Sequence, residues 1–391
     1  MAQLINLHAF RNFFKSTNAG GLLLFICVIL ALAIANTPWA RSLQLVLDHS
    51  LGIENEYVHL RYPILLWIND GLMAVFFLLV GLEIKREIVE GELSSPRQAS
   101  LPILCAIGGA VVPALIYLSL NGGQDTAGGW GIPMATDIAF ALAVISLLGN
   151  RIPNSLKIFL AALAIVDDLI AILVIAFFYS SGLETSYLLY AAIGLGILIL
   201  MNRFNIQNPY LYLIPGIFIW YFVHHSGIHA TIAGVLVAMT IPTNDTDVES
   251  PLERLEHALA KPVNFIIIPL FAFANTNITL EMEMMDGLTS ALGLGIGLGL
   301  LLGKPIGILT TAFICIKFKI SNLPDQATWR HILGVGLLAG IGFTMSIFIA
   351  ILSFDSAGHI AEAKLAILLT SLFAGIVGYL ILYKTDSVHG K

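Results

Sequence analysis

A chain of 391 residues that is 58% hydrophobic and only 11% charged, with a mean hydropathy of +0.89, has the composition of a polytopic membrane protein, not of a soluble domain. Its net charge of -6 at pH 7 and its singly scattered Lys and Arg residues exclude a nucleic-acid-binding stripe. Cys27, Cys105 and Cys315 fall in three separate apolar runs and read as packing residues, against a disulfide or a metal site.

The first stretch, residues 1-17, is too polar and too aromatic for a cleaved signal and reads as an amphipathic cytoplasmic lead-in. From there to residue 383, windows able to cross about 30 Å of hydrocarbon recur, and about twelve spans are predicted. Their limits are 18-36, 63-85, 99-120, 126-148, 155-179, 186-202, 209-223, 227-241, 255-275, 289-316, 331-353 and 360-383. Between the first two, residues 42-62 alternate at Leu43, Leu45 and Leu47 and again at Val58 and Leu60, with Gly52 and Asn55 between them. That pattern predicts a small external β-hairpin, whose edges a second subunit could cover. The basic residues fall mostly on one side of the alternating connections, Arg11, Lys15, Arg86, Arg151, Arg254 and Lys384 among them. Both termini, including the tail 384-391, are therefore expected in the cytoplasm. Gly295, Gly299, Gly303 and Gly307 in the tenth span are spaced for close helix packing.

Three spans carry ionisable groups toward the middle of the bilayer. Asp167 and Asp168 lie roughly 17 Å from the cytoplasmic side of the fifth span, Asp137 roughly 15 Å and Lys304 roughly 22 Å from the external side of theirs. Two spans look broken: the fourth at Pro133 and the pair Thr136-Asp137, the eleventh at Gly340, Gly342 and Thr344. Broken helices expose partial charges at their ends, which an aspartate near N-termini and a lysine near C-termini would neutralise. Asp137 is expected in that first role. For Lys304 the second role stands level with a direct part in exchange, paired with Asp167. The interrupted members also match in order, spans 3-5 against 10-12, and their opposite directions make an inverted repeat, with 99-179 and 289-383 as the core. Residues 18-98 and 186-275 supply interface helices around it. Such a build is common in secondary transporters.

An adjacent carboxylate pair in hydrocarbon must hold protons or a cation. Asp167 and Asp168 point about 100° apart on their helix, so they flank a cavity instead of sharing one proton face to face. With the Thr136 hydroxyl and freed carbonyls they offer the oxygen ligands that Na+ or Li+ prefers. Protons and cation then compete for one site, and that competition with alternating exposure is antiport. No cofactor is required. Two rivals remain: a Na+-coupled symporter of a small organic substrate, disfavoured because few Asn, Gln, Ser or Arg line the spans, and an intramembrane aspartyl protease, disfavoured because no GxGD motif is present.

The strings GLEIKREIVEGEL, PMATDIAFAL, LAIVDDLIAI, SGIHATIAG, LFAFANT, GKPIG and LAGIGFTMSIFIA closely resemble the bacterial Na+/H+ antiporter A (NhaA) family over essentially the whole chain. That family is itself a standard example of inverted repeats with broken helices. The resemblance implies Asp168 and Asp167 as the cation and proton site, Thr136 and Asp137 at one helix break, and Lys304 beside the other, where Gly342 lies. It also implies a dimer in the bacterial inner membrane and electrogenic exchange, two protons entering for each Na+ leaving. Activation at alkaline pH would run through Glu83, Arg86, Glu87, Glu256 and His257, with His229 at a further position linked to pH response. Taken alone, EIKRE and RLEH read as solvated helix ends and His229 as a packing residue. Where a member of that family carries a second histidine this chain has Ala260, so the pH threshold is expected to differ.

Overall fold

The computed structural model describes residues 7-56, 59-180, 182-243, 249-279 and 286-385, and it is predominantly helical. Residues 1-6 of the lead-in, Val58 of the hairpin and 386-391 of the tail lie outside the described residues. Helices α1 (Leu7–Ala35) and α2 (Ala40–Leu47) are followed by strands β1 (Ser50–Glu54) and β2 (His59–Pro63). Then come α3 (Ile64–Val89), α4 (Pro96–Asn121), a 3-10 helix (Ala127–Met134) leading to α5 (Ile138–Ser146), and α6 (Asn154–Phe178). The remainder is α7 (Thr185–Arg203), α8 (Tyr210–His225), α9 (Ile232–Thr240), α10 (Pro251–Asn275), α11 (Ala291–Lys317), α12 (Trp329–Ala339), α13 (Phe343–Ser353) and α14 (Ala357–Lys384).

Every window expected to span contains helix. Among the described residues, eight helices are long and apolar enough to cross a membrane, and two bent pairs raise the number to ten: Ala19–Ala35 with α2, bent by 113°, and α12 with α13, bent by 45°. The windows 209-223 and 227-241 hold the shorter helices α8 and α9, of 16 and 9 residues. Many apolar side chains face outward, Leu115 and Leu189 among them, as an exterior solvated by hydrocarbon requires.

The hairpin differs from its expected limits. Its first arm begins at Ser50, because residues 40-47 are helical, and the antiparallel register sets Ser50 opposite Pro63 and Glu54 opposite His59. Leu43 and Leu47 stand four residues apart, so their alternation with Leu45 also suits a helix, and Leu47 is the buried residue of α2. Gly52 has φ +124, and a Cβ there would fall 1.7 Å from the Leu60 carbonyl oxygen, so the strand needs glycine at this point.

The chain forms two compact units. One comprises Met1–Ile26, Ser95–Ala171 and Glu281–Lys391, the other Cys27–Ser94 and Ile172–Leu280. In the first unit a long helix, a broken span and a second long helix follow in order twice: α4, the 3-10 helix with α5, and α6 as far as Ala171, then α11, α12 with α13, and α14. The glycine ladder joins the opening members of each set. A Cβ on Gly303 would lie 2.8 Å from Pro113 Cα, and one on Gly307 2.2 Å from the Gly108 oxygen, so only hydrogen at these positions lets α11 lie against α4. Asn121 fastens the same pair by donating to the Ala291 carbonyl at 2.7 Å.

The second unit has its own apolar core, with Leu82, Leu198, Tyr212, Ile219, Val237 and Leu255 buried together. Its α10 begins in a capping box: Ser250 Oγ accepts from the Glu253 amide at 3.2 Å and Glu253 Oε2 from the Ser250 amide at 2.7 Å. Among the described residues three spans contain a π-helical turn, at Trp67–Leu72, Val263–Ile267 and Gly299–Gly303. Such turns concentrate at functional sites, and the third ends directly before Lys304.

Candidate functional site

Both breaks fall where the sequence placed them. Residues 135-137 run without helix between Met134 and Ile138, and Gly340 to Gly342 separate α12 from α13. The two interruptions are tied together. The Asp137 amide donates to the Ile341 carbonyl at 2.6 Å, and Ser346 Oγ donates to the Ile132 carbonyl at 2.7 Å. Glycine permits the second break: a Cβ on Gly340 would lie 2.4 Å from the Leu300 oxygen, and one on Gly342 2.1 Å from Ser346 Oγ.

Asp137 serves two helix N-termini with one carboxylate. Its Oδ1 accepts from the Phe140 amide at 2.9 Å, capping α5, while its Oδ2 accepts from the Thr344 amide at 3.1 Å and the Thr344 hydroxyl at 2.5 Å, capping α13. A carboxylate at such ends meets both the unpaired amides and the positive pole of the helix dipole. Ser371 Oγ, from α14, accepts from the Phe343 amide at 3.2 Å and covers another free donor of α13.

Beside the crossing lie the groups that can exchange ions. Asp167, Asp168 and Lys304 are 2%, 1% and 0% exposed, well out of water's reach. Lys304 Nζ donates to Asp167 Oδ2, forming an ion pair with both side chains fully enclosed. Thr136 Oγ1 lies 2.6 Å from that same oxygen and 2.8 Å from the Ala339 carbonyl at the end of α12. All the donors to Asp167 thus converge on Oδ2. Its Oδ1 is buried with no hydrogen-bond partner among the described residues. A carboxylate oxygen in that condition is strongly disposed to accept a proton or a cation, since burial without a partner carries the full desolvation penalty.

The structure therefore brings Asp167, Lys304 and Thr136 into direct contact and sets Asp137 on the same crossing. Lys304 has Asp167 as its partner, the pairing expected from the sequence. Thr344, recognised in the sequence only as part of a break, turns out to hold Asp137. Ser346 and Ser371 were missed; the available signal was a hydroxyl one turn into a half-helix and another inside an apolar span.

The residues expected to respond to pH lie in the second unit. Arg86 contacts Glu256 at 2.9 Å and Glu87 at 3.2 Å, with both carboxylates largely enclosed, and Glu83 sits within electrostatic range of all three. His257 faces outward instead, 3.0 Å from Glu249, with both side chains mostly exposed. On the adjoining loop Glu92 donates its amide to Glu87 Oε2 at 3.0 Å, and partial burial together with the Glu87 charge pushes its carboxyl above the ordinary range. His229 lies apart from this group, its Nε2 2.7 Å from the Tyr179 carbonyl, a contact that satisfies a packed histidine.

Residues 11-382 match the family described as Na+/H+ antiporter 1. A protein named Na(+)/H(+) antiporter NhaA 2, from Flavobacterium johnsoniae, is 62% identical over 383 residues, covering 98% of this chain and 94% of that protein. Proteins named Na(+)/H(+) antiporter NhaA are 50% identical in Flavobacterium psychrophilum, over 95% of this chain and 94% of that one, and 48% identical in Shewanella oneidensis, over 96% and 97%. The solved structure of the sodium proton antiporter MjNhaP1 from Methanocaldococcus jannaschii at pH 8 aligns over 97% of this chain and 98% of that one with a TM-score of 0.54. At 14% identity this likeness concerns the fold.

Proposed function

The chain belongs to the Na+/H+ antiporter 1 family, and from that premise we propose that it exports Na+, and Li+ by the same ligands, against about two protons by alternating access. It is a multi-pass membrane protein and a Na+/H+ antiporter, a transporter rather than an enzyme. The finer reading rests on one observation above the others: Asp167 receives Lys304 and Thr136 on one oxygen and keeps the other buried with no hydrogen-bond partner among the described residues, next to Asp168 in sequence.

In this reading Asp168 and Asp167 Oδ1 take the cation, with the Thr136 hydroxyl oxygen as a neutral ligand. Facing outward, the site releases Na+ and accepts two protons, one on Asp168 and one held by the Lys304–Asp167 pair as a coupled unit. Facing inward, the cation displaces both. Two positive charges enter and one leaves, so each cycle moves one net charge inward. Asp137 stays a structural anion and balances the two helix ends it caps.

Alkaline activation is assigned to Glu83, Arg86, Glu87 and Glu256, with His257 acting from the exposed side and His229 contributing through its packing. A carboxylate cluster around one guanidinium changes its net charge as protons leave, which alters how firmly Arg86 is held. A homodimer formed through the hairpin of strands Ser50–Glu54 and His59–Pro63, residence in the bacterial inner membrane and cytoplasmic termini complete the proposal. The exposed faces of both strands support the pairing role. The first unit is taken as the inverted-repeat core and the second as the interface part.

Proteoliposomes test the central point. Adding Na+ outside vesicles above neutral pH should change intravesicular pH in the sense of exchange, and Asp168→Asn should abolish the response. An unchanged rate in that variant removes Asp168 from the site.

A further inference from the structure

The Thr136 hydroxyl stands between two acceptors, Asp167 Oδ2 at 2.6 Å and the Ala339 carbonyl at 2.8 Å. A hydroxyl has one hydrogen, so it can serve only one of them at a time. Ala339 is the last residue of α12, and its carbonyl is among those that a helix end leaves without an intrahelical donor. Immediately beyond it the chain breaks at Gly340 to Gly342.

We infer that the Thr136 hydroxyl is a positioning group whose single hydrogen changes acceptor with ion occupancy, linking the ion site to the break between α12 and α13. The inference rests on the reading of Thr136, Asp167 and Asp168 as cation ligands. With Asp167 ionised and no cation present, the charge-assisted bond to Oδ2 is the stronger one and keeps the hydrogen. A cation bound through a lone pair of the hydroxyl oxygen and through Asp167 draws on the same carboxylate charge, so the bond from the hydrogen to Oδ2 loses its advantage. Ala339 supplies the acceptor within reach. Loading with Na+ therefore forms a bond from the fourth span to the end of α12, and unloading releases it. The neighbouring bond from the Asp137 amide to the Ile341 carbonyl, 2.6 Å long, joins two backbone groups and does not depend on the ion. The crossing stays joined while one of its ties follows occupancy.

Amide hydrogen exchange of the full-length protein in nanodiscs, read on peptides covering residues 336-344, tests this. The two arms are saturating Na+ and K+ at equal ionic strength and alkaline pH. In the unaltered protein Na+ should slow exchange at Gly340 to Gly342 several-fold; an absence of any Na+ effect there, in protein that exchanges Na+, overturns the inference without needing a variant. Thr136→Val should raise the KM for Na+ by about tenfold, as loss of one neutral ligand implies, and should abolish the Na+-dependent protection even at saturating Na+. Thr136→Ser, which keeps the hydroxyl, should restore both. Full protection in saturated Thr136→Val overturns the hydrogen's role while leaving the carboxylate site standing, whereas persistent exchange in Asp168→Asn overturns the site itself.

Discussion

Asp137 and Thr344 join two interrupted spans through a single oxygen: the Thr344 amide, at 3.1 Å, and its hydroxyl, at 2.5 Å, both donate to Asp137 Oδ2. The other oxygen of the same carboxylate caps α5 through Phe140. Removing the carboxylate should therefore weaken two helix starts at once, while removing the threonine hydroxyl weakens one.

Asp137→Ala is expected to lower stability by about 2 to 4 kcal/mol, two caps at the upper part of the usual range. Thr344→Val, which keeps the shape and the amide, should lose about 1 to 1.5 kcal/mol. Thermal unfolding of both variants in the same detergent measures the ordering, and a Thr344→Val loss equal to that of Asp137→Ala contradicts the double-cap arrangement.

The Lys304–Asp167 pair is enclosed on both sides. Lys304→Met leaves Asp167 without its cationic partner and should cost about 3 to 5 kcal/mol, whereas Lys304→Met combined with Asp167→Leu should recover most of that loss. A double-mutant cycle by denaturation decides it. Charge movement per cycle on a solid-supported membrane, recorded for Lys304→Gln, separates a structural lysine from one that holds a transported proton; the proposed coupling predicts reduced charge per Na+.

Within the second unit the enclosed pair and the exposed pair should differ in consequence. Glu256→Gln removes the negative charge that lies 2.9 Å from Arg86 and is expected to displace the pH profile of exchange more than His257→Ala, because the His257–Glu249 contact is solvated and worth about 0 to 1 kcal/mol. Exchange rates at stepped pH for the two variants check the ranking, and the reverse order assigns sensing to the exposed histidine.

Glu92 gives a pH dependence whose sign is fixed. Its folded carboxyl is raised by burial and by Glu87. Below the ordinary carboxylate range it is protonated in folded and unfolded chains alike and contributes nothing; as pH rises through its folded value, its ionisation costs stability. Glu92→Gln should therefore match the parent in acid and exceed it near neutrality, by thermal unfolding at both pH values. A difference that is larger in acid contradicts the assignment.

Two glycines supply a packing test. Gly307→Ala would place a Cβ 2.2 Å from the Gly108 oxygen, and a loss of about 1 to 3 kcal/mol is expected from forcing α11 away from α4. Gly196 has nothing within 4 Å of a built Cβ, so Gly196→Ala in α7 should be neutral or stabilising by up to about 1 kcal/mol.

The intramembrane charges were legible in the sequence because hydrocarbon makes each of them conspicuous: Asp137, Asp167, Asp168 and Lys304 each interrupt an apolar run. The breaks were legible for a related reason, since Pro133, Gly340 and Gly342 stand where a helix should continue. Partners supplied by main chain or by ordinary hydroxyls were not. The Ala339 and Ile341 carbonyls carry no side-chain signature, and Ser346 and Ser371 look like any small residue at a helix contact. Residues 42-49 misled for the opposite reason, as alternation of leucines over a short stretch suits a helix as well as a strand. The glycine ladder was read correctly as packing, but the sequence gives no warning that one turn within it is wider than the rest.

That wider turn, Gly299–Gly303, has a consequence for how this chain is compared with others. A π turn accommodates one residue more than the α-helix it interrupts, so every side chain after it is rotated by about 100° relative to an uninterrupted helix. Lys304 is the first residue to inherit that rotation. A relative that winds this stretch as uninterrupted α-helix keeps a lysine aimed at its aspartate only if it lacks one residue between 299 and 303, and one of unchanged length aims the aligned lysine away. Gap placement ahead of Lys304 therefore carries as much information about the ion pair as the identity of the lysine.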